Sequence, residues 1–382
     1  MEKKKIKVAV GISGGVDSAV AAALLKKQGY DVIGVHLYCY DEGPYCTAKE
    51  DRVSAVRVAK HLGIPLLVWD LRKEYKDKVI SYFFDEYKAG RTPNPDVMCN
   101  REIKFGLFME RALRKLKVDY VATGHYARVA PAGRSERQVA RGEGNKKNQI
   151  GGSPNFKPQA AGYKLLAGRD TSKDQSYFLY TITSKQLEHI LFPIGDYRKE
   201  KVREMAKEMG LPNHKRHDSM GICFIGPVPI AKFLRENLPA KVGSVVNTKG
   251  EIIGEHDGVW FFTEGQRHGF RIFNSTGLPL YVIGKNVTTN ILIVGRGEEA
   301  KIKQFEVEKP HWIGKLEDKG KKRVGVRIRH LGEIMPATTS TNRKLLVRLA
   351  KPAFGVAPGQ SAVFYQKDEV LGGGLISLGH TL

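Results

Sequence analysis

Two glycines flanked by two serines, within residues 13–18, are the part of this chain most clearly suited to chemistry. Residues 8–18 read VAVGISGGVDS, an apolar run that ends in Ser-Gly-Gly and is followed at once by an Ala/Leu-rich stretch. The first N–H groups of a helix lack internal partners, and glycines let an anion approach the backbone closely. This turn is therefore suited to binding a phosphate. Alternatively, Asp17 and Ser18 would serve only as helix caps.

The pattern is neither GxGxxG nor GxxxxGK[ST], which disfavours a dinucleotide-binding fold and a Walker-type NTPase. The SGGVDS sequence of residues 13–18 instead resembles the pyrophosphate loop of the PP-loop ATP pyrophosphatase superfamily. That resemblance implies an enzyme that splits ATP into AMP and pyrophosphate and adenylates its substrate. It does not identify the substrate.

Cys99 is the first candidate nucleophile. It follows a proline-rich loop and comes just before a predicted helix, and a helix N-terminus stabilises a thiolate. Arg91, Arg101 and Lys104 could add to that effect, and Asp96 could move a proton. A buried cysteine beside a capping aspartate explains the same local sequence equally well.

Cys223 is the second candidate thiol, and it lies between glycines and bulky apolar residues in the GICFIG sequence of residues 221–226. This context favours a buried structural cysteine, although the glycines and the polar segment before them also permit a mobile loop. The remaining cysteines, Cys39 and Cys46, are interpreted as structural. None of the four forms a CxxC pair, so a structural zinc site is disfavoured and no metal site is predicted.

Alternating strands and helices must position these residues. Strands are predicted over residues 8–12, 31–38, 64–69 and 119–122, and helices over 19–28, 50–62, 74–88 and 101–117. This order predicts an α/β fold with a doubly wound parallel sheet, which binds ligands beyond the carboxyl ends of its strands. The glycine turn, Leu37 and Gly124 all fall at such strand ends, so one site could collect them.

The second half of the chain changes in character. Residues 130–162 are rich in Gly, Ser, Asn and basic residues and read as a polar insertion. A helical stretch with an interruption at 192–195 is predicted over residues 186–209. Short strands, among them 243–246 and 259–263, then suggest a small β-barrel, and alternating residues after 301 suggest another. The predicted domains are a PP-loop ATPase domain (1–225) and two small β-barrel domains (226–300 and 301–382).

The composition points to a polyanionic partner. Lysine and arginine total 63 against 40 acidic residues, a formal net charge of +23. Such an excess fits RNA or DNA better than a membrane surface, because no amphipathic anchor accompanies it. No apolar run approaches the ~20 residues of a membrane helix. The N-terminus passes directly into the first predicted strand, so a cytoplasmic protein is expected.

From the first strand almost to the C-terminus, the sequence resembles one family, the tRNA-specific 2-thiouridylases. The stretches that carry the resemblance are residues 13–18, 90–104, 123–126, 173–179, 221–226, 254–258, 265–267 and 358–363. Met220 stands where the family often has threonine, and Ile328 where it often has tyrosine. The insertion at 130–162 is a further departure.

The resemblance implies that ATP adenylates the C2 oxygen of the tRNA wobble uridine and that sulfur then replaces this oxygen, forming 2-thiouridine. It makes Cys99 the nucleophile, Cys223 the carrier of a persulfide and Asp96 the acid/base. A transient disulfide between Cys99 and Cys223 would be reopened by a dithiol reductant. The target base would be flipped out of its stack to expose C2.

The resemblance also assigns binding residues and partners. Those for ATP are Gly11, Ile12, Ser13, Gly14, Gly15, Val16, Asp17, Ser18, Leu37 and Gly124. Those for tRNA are Asn94, Pro95, Asp96, His125, Lys173, Asp174, Gln175, Arg327, Ile328 and Gln360. ATP with Mg²⁺ is a substrate, and no permanent cofactor is expected. The other expected partners are tRNA, a persulfide donor or relay protein and the reductant, and the protein is expected to be a monomer.

Two other functions compete with this interpretation. A PP-loop ligase that adenylates a small molecule would need neither Cys99 nor Cys223, nor so basic a composition. A non-catalytic RNA-binding protein would be expected to have a damaged glycine turn, whereas residues 13–18 are intact.

Overall fold

The computed structural model describes residues 5–43, 46–132, 162–218, 221–226, 229–274, 277–314 and 322–379. Its first part contains β1 (Lys7–Gly11), α1 (Val16–Lys27), β2 (Asp31–Tyr38), α2 (Ala48–Leu62), β3 (Leu66–Asp70), α3 (Arg72–Tyr75, Lys76–Ile80 and Ser81–Lys88), α4 (Pro95–Met98, Cys99–Phe108, Met109–Arg111 and Ala112–Leu116), β4 (Tyr120–Ala122), β5 (Ala127–Pro131), β6 (Tyr163–Ala167), α5 (Ser184–Leu187), β7 (Ile190–Leu191) and α6 (Lys199–Glu208). The second and fourth segments of α4 and the middle segment of α3 have π-helical hydrogen bonding.

A five-stranded parallel sheet in the order β3-β2-β1-β4-β7 forms the centre of this part. Its central strand is apolar on both faces, since Val8, Ala9 and Val10 are fully buried. Helices therefore cover both faces, as expected for a parallel sheet. The predicted α/β class is confirmed.

The helix predicted over residues 186–209 is wrong in its first half. Only Ser184–Leu187 and Lys199–Glu208 are helical, and Ile190 and Leu191 form the edge strand β7 beside β4. Pro193 and the glycine at 195 break the helical pattern, and the two apolar residues before them complete the sheet instead.

The middle part of the chain is a small sheet preceded by one helix. It contains α7 (Ile230–Asn237), β8 (Gly243–Val246), β9 (Ile252–His256), β10 (Arg271–Ile272), β11 (Tyr281–Asn286) and β12 (Ile291–Gly295), with the strand order β10-β9-β8-β12-β11. The strand predicted at 259–263 is wrong, because Val259–Phe261 is a 3₁₀ turn. There the Val259 N–H donates to Oδ1 of Asn290 rather than to a neighbouring strand.

The last part is a closed six-stranded barrel. Its strands are β13 (Lys301–Trp312), β14 (Lys322–Arg327), β15 (Met335–Thr341), β16 (Leu345–Phe354), β17 (Ser361–Gln366) and β18 (Glu369–Ser377), and pairing of β13 with β18 closes the ring. The hairpin of β5 and β6 extends this sheet through a β6–β18 pairing. The chain segment between β4 and α5 is thereby attached to the barrel. Of the predicted insertion, residues 133–161 lie outside the described residues.

Candidate functional site

Side chains from α2 and from the segment after α6 hold the glycine turn between β1 and α1 in place. Gly14 has a φ of +87°, and a Cβ there would lie 2.4 Å from the carbonyl oxygen of Asp51, so only glycine suits the position. The carbonyl of Gly14 accepts hydrogen bonds from Ser54 Oγ (2.7 Å), Asn213 Nδ2 (2.8 Å) and Arg216 Nη1 (3.2 Å). The turn is therefore fixed before any ligand binds.

The N-terminus of α1 has no side-chain cap. Its N-cap residue is Gly15, and Asp17 and Ser18 lie inside the helix rather than capping it. The hydroxyl of Ser18 instead lies 3.0 Å from that of Ser13 and donates to the carbonyl of Gly15. Because no side chain caps them, the first N–H groups of the helix are available to an anion.

The end of β4 packs its backbone directly against this helix. A Cβ on Gly124 would lie 2.6 Å from the N atom of Ser18 and 2.7 Å from the carbonyl carbon of Asp17. Leu37, at the end of β2, lines the same cavity as Gly124 and the glycine turn. Of the ten residues predicted to bind ATP, nine line this cavity, and the tenth, Gly14, is the anchor described above.

A buried lysine, Lys199, faces the glycine turn from α6. Its Nζ lies 2.7 and 2.8 Å from the two carboxylate oxygens of Asp17 and 2.9 Å from Oδ1 of Asp218. Tyr126 donates to Asp17 (2.9 Å), and its ring lies 5.7 Å from the ammonium. Lys199 is not among the residues predicted from the sequence, because no motif surrounds it and it falls within the interrupted helical stretch predicted over residues 186–209.

The two candidate thiols meet at the other end of the cavity. Cys99, on α4, is fully buried, whereas Cys223 is half-buried and lines the cavity. The neighbouring Cys99 thiol, together with the ammonium of Lys104, lowers the pKa of Cys223. Burial and the neighbouring Cys223 thiol raise the pKa of Cys99. Of the two thiols, Cys223 is therefore the more readily ionised.

The expectation that a helix N-terminus stabilises the Cys99 thiolate is therefore wrong. The helix begins at Pro95, so Cys99 lies one turn inside it and burial dominates. Of the three nearby cations, Arg91 pairs with Glu86 and Arg101 with Glu102, both away from the thiols. Only Lys104 acts on them, and the two cysteines together with Asp96 raise its pKa despite its burial.

Hydrogen bonds from the Cys223 segment, from the start of α4 and from the barrel hold Asp96 and the proline-rich loop in place. Oδ1 of Asp96 accepts a 3.1 Å hydrogen bond from the Cys223 N–H, and burial raises the pKa of this carboxyl group. Asn94 caps α4 by accepting from Val97 N–H (3.2 Å), and Pro95 takes the first helical position. Nε2 of Gln360, from the barrel, lies 3.3 Å from the carbonyl oxygens of residues 92 and 93.

The other residues predicted to bind tRNA fall into two groups. Lys173 and Gln175 line the cavity, and so does His125, which is 6% exposed and lies 3.4 Å from the Lys104 ammonium. Asp174, Arg327 and Ile328 are buried instead, with exposures of 1%, 8% and 5%. Asp174 and Arg327 form an interior ion pair at 2.6 Å. The tRNA contact predicted for this second group stays a prediction.

One cavity of about 500 Å³ is lined by the glycine turn, Lys199, Lys104, Asp96 and Cys223. Over the described parts of the chain, no group of three or more His, Cys, Asp or Glu residues could hold a metal ion. No helix in those parts is long and apolar enough to cross a membrane. A phosphate-binding turn, a buried cation and a paired thiol thus share one enclosed space, which suits an ATP-dependent reaction at sulfur.

Three family models match successive parts of the chain. The tRNA methyl transferase HUP domain matches residues 6–150 and 155–227, the tRNA methyl transferase PRC-barrel domain matches 231–296, and the aminomethyltransferase beta-barrel domain matches 302–376.

Curated relatives match along almost their whole length. The proteins named tRNA-specific 2-thiouridylase MnmA from Lysinibacillus sphaericus and Geobacillus thermodenitrificans are 40% and 43% identical to this chain. The matches cover 98% and 97% of it, and 95% and 94% of those proteins. The corresponding protein from Pediococcus pentosaceus is 41% identical, with 98% and 96% covered.

Solved structures give weaker matches. A 4-thiouridine synthetase–RNA complex with bound ATP is 17% identical with a TM-score of 0.35, covering 60% of this chain and 50% of that one. The U34-tRNA thiolase NcsA from Methanococcus maripaludis is 20% identical with a TM-score of 0.31, covering 62% and 69%.

Proposed function

This chain belongs to the tRNA-specific 2-thiouridylase family, and we propose that its 500 Å³ cavity is where it adenylates the wobble uridine of a tRNA and replaces O2 with sulfur. The protein is accordingly a PP-loop ATPase and a tRNA sulfurtransferase. The observation that carries the site proposal is the direct interaction between the buried Cys99 thiol and Cys223, which lines the same cavity as the glycine turn.

In the first step, we propose that the phosphates of ATP bind at the N-terminus of α1 and on Lys199. The uridine O2 attacks the α-phosphorus and pyrophosphate leaves, so the poor leaving group at C2 becomes AMP. Lys199 would offset the charge of the departing pyrophosphate. Mg²⁺ is commonly held by one carboxylate and substrate phosphates, and the carboxylate of Asp17 fits that donor set. Leu37 and Gly124 would hold the rest of the nucleotide.

In the second step, Cys223 carries the sulfur. Its lowered pKa supports this role, because a thiolate is what takes up sulfur from a persulfide donor. The terminal sulfur of the Cys223 persulfide attacks C2 and displaces AMP. Cys99 then attacks Sγ of Cys223, which releases the thiocarbonyl and forms the Cys99–Cys223 disulfide. A dithiol reductant supplies the two electrons that reopen this bond, as a reducing cytoplasm allows.

Asp96 would move the protons of these steps, and Asn94 and Pro95 would contact the flipped uridine. Lys173, Gln175, His125 and Gln360 would contact the tRNA nearby. For the domain boundaries we propose 1–225, 226–300 and 301–382. The β5–β6 hairpin ties the first of these units to the barrel.

The test is thiolation of a tRNA transcript by the purified protein with ATP, magnesium and a persulfide source, read by retardation on a mercury-containing gel. Cys99→Ser and Cys223→Ser should each abolish thiolation. Cys46→Ser is the matched control and should retain it, because the Cys46 thiol donates to the carbonyl of Tyr40 rather than interacting with Cys99 or Cys223. Thiolation that survives either of the first two changes would refute the two-thiol mechanism. Adenylation of a free metabolite without tRNA would favour the ligase alternative.

Without added reductant, the wild-type protein should complete about one turnover and stop. Mass spectrometry should then find the Cys99–Cys223 disulfide, with Cys39 and Cys46 still as thiols. Multiple turnovers without any reductant would exclude this disulfide from the cycle.

A further inference from the structure

The barrel contributes two residues to a cavity that is otherwise lined by the first 226 residues. These are His330 and Leu331, in the connection between β14 and β15. Leu331 has a φ of +55° and a side chain that is 47% exposed at the cavity. A bulky residue in the left-handed region is strained, and such strain is found most often at ligand-binding positions.

His330 packs on Phe178, which also lines the cavity. The two ring centroids are 4.3 Å apart with an interplanar angle of 36°, and Phe178 in turn contacts Tyr177 edge to face at 5.5 Å. Both His330 and Phe178 are half-buried, so each keeps part of its ring open to the cavity. They form an aromatic pair beside Lys173 and Gln175, which our proposed function places at the tRNA.

Packing rather than hydrogen bonding holds this imidazole. Nδ1 of His330 is buried and has no hydrogen-bond partner within the described part of the structure. Burial lowers the pKa of His330 to about 4, so the ring is neutral at pH 7. A neutral ring does not bind a phosphate as an ion pair, whereas its faces remain suited to stacking.

We propose that His330 and Phe178 form a platform on which a nucleobase next to the target uridine stacks when that uridine is flipped into the cavity. This inference rests on the proposed function. Recognition of unpaired RNA commonly stacks bases on aromatic side chains and histidine, and flipping the uridine unstacks its neighbours. Because His330 comes from the barrel and Phe178 from the first part of the chain, the platform would couple tRNA binding to the position of the barrel over the cavity.

The experiment uses the full-length protein and a tRNA transcript with 2-aminopurine beside the wobble uridine. With the wild-type protein, the 2-aminopurine fluorescence should change on binding. His330→Ala should weaken tRNA binding about tenfold and remove most of the fluorescence change. His330→Phe, which keeps an aromatic face but no nitrogen, should restore both. Circular dichroism and ATP binding should be unchanged in both variants.

Salt dependence separates stacking from charge. The slope of log K against log salt should be the same for His330→Ala as for wild type, whereas Lys173→Ala should reduce it by about 1. His268→Ala is the matched control, since that histidine is exposed on the middle part of the chain, and it should change neither affinity nor fluorescence.

The platform is refuted if His330→Ala matches wild type in tRNA affinity and in the 2-aminopurine fluorescence change. It is also refuted if His330→Phe restores neither property relative to His330→Ala. Failure of the wild-type protein to thiolate tRNA on the mercury gel would instead refute the proposed function. Thiolation by wild type together with unchanged binding by His330→Ala would refute the platform alone.

Discussion

The backbone N–H of Cys223 donates a 3.1 Å hydrogen bond to Oδ1 of Asp96. This bond joins the loop that carries one thiol to the first turn of the helix that carries the other. It also places a carboxyl group of raised pKa beside the thiol pair, where burial is the main cause of the shift. A carboxyl group whose pKa is raised toward neutrality is better able to hold and release a proton.

Asp96→Asn should separate two roles of Asp96, namely holding the Cys223 loop in place and transferring protons. The amide oxygen can still accept from the Cys223 N–H, so the loop should stay in place, but proton transfer is lost. We expect single-turnover thiolation to fall about 100-fold or more, while the alkylation rate of Cys223 by iodoacetamide stays within about twofold of wild type. Asp96→Ala should lose both properties. Full activity of Asp96→Asn would exclude an acid/base role.

Lys104→Gln should move the titration of Cys223 to higher pH. The ammonium stabilises the thiolate form and so lowers the pKa of Cys223. Without it, the thiolate forms only at higher pH, and alkylation of Cys223 near pH 7 should slow about tenfold. The rate measured against pH by mass spectrometry should keep its shape but shift upward. Lys78→Gln, an exposed lysine paired with Glu102, should leave the curve in place.

Lys199→Met should damage the use of ATP more than the binding of tRNA. The ammonium is buried between Asp17 and Asp218 at the glycine turn, so its loss removes the cation nearest the proposed phosphates. We expect kcat/KM for ATP to fall at least about 100-fold, with tRNA affinity within about threefold. Lys201→Met, two residues along the same helix and exposed, is the matched control. Unchanged ATP kinetics in Lys199→Met would remove this residue from the mechanism.

Gly124→Ala should weaken ATP binding through crowding alone. Its Cβ would lie within 3.0 Å of three backbone atoms of residues 17 and 18, which cannot move without shifting the start of α1. Overpacking of this kind costs about 1–3 kcal/mol, and we expect KM for ATP to rise about tenfold. Gly314→Ala, where a Cβ meets nothing within 4 Å, should behave like wild type. Equal KM values for the two variants would contradict the close approach.

Patterns local in sequence predicted much of the fold and of the candidate site. The order of strands and helices in the first 125 residues follows from apolar runs separated by glycine. The glycine turn can be identified from the sequence because its function depends on consecutive residues. By contrast, β7 contains only Ile190 and Leu191, too few residues to show a period. Their pairing with β4 becomes visible only when the sheet is assembled.

The charges around the thiols could not be ranked from sequence. Arg91, Arg101 and Lys104 all lie within eight residues of Cys99 along the chain, yet two of them find acidic partners elsewhere. Lys199 lies 182 residues from Asp17 and His330 lies 152 residues from Phe178, and neither belongs to a motif, so only the tertiary structure brings them to the cavity. The state of Cys99 depends on burial, which is likewise a property of the assembled structure.

Arg327→Met should reveal what the buried pair of Arg327 and Asp174 does. Asp174 is held by the guanidinium at 2.6 Å and by the N–H groups of Gly168 and Ser176, both at 3.0 Å. Removing the arginine leaves a buried carboxylate without its counter-ion, a loss that typically costs about 3–5 kcal/mol. We expect a clear drop in the urea midpoint. The double variant with Asp174→Asn should recover most of it, because no unpaired charge remains.

The same variants test the tRNA contact that the family resemblance implies for both residues. Affinity is measured well below the unfolding transition, so that the loss of stability does not interfere. If Arg327 only holds the barrel to the first domain through Asp174, the stable double variant should bind tRNA within about twofold of wild type. A drop of tenfold or more in the double variant, with its urea midpoint restored, would show that the pair also contacts tRNA.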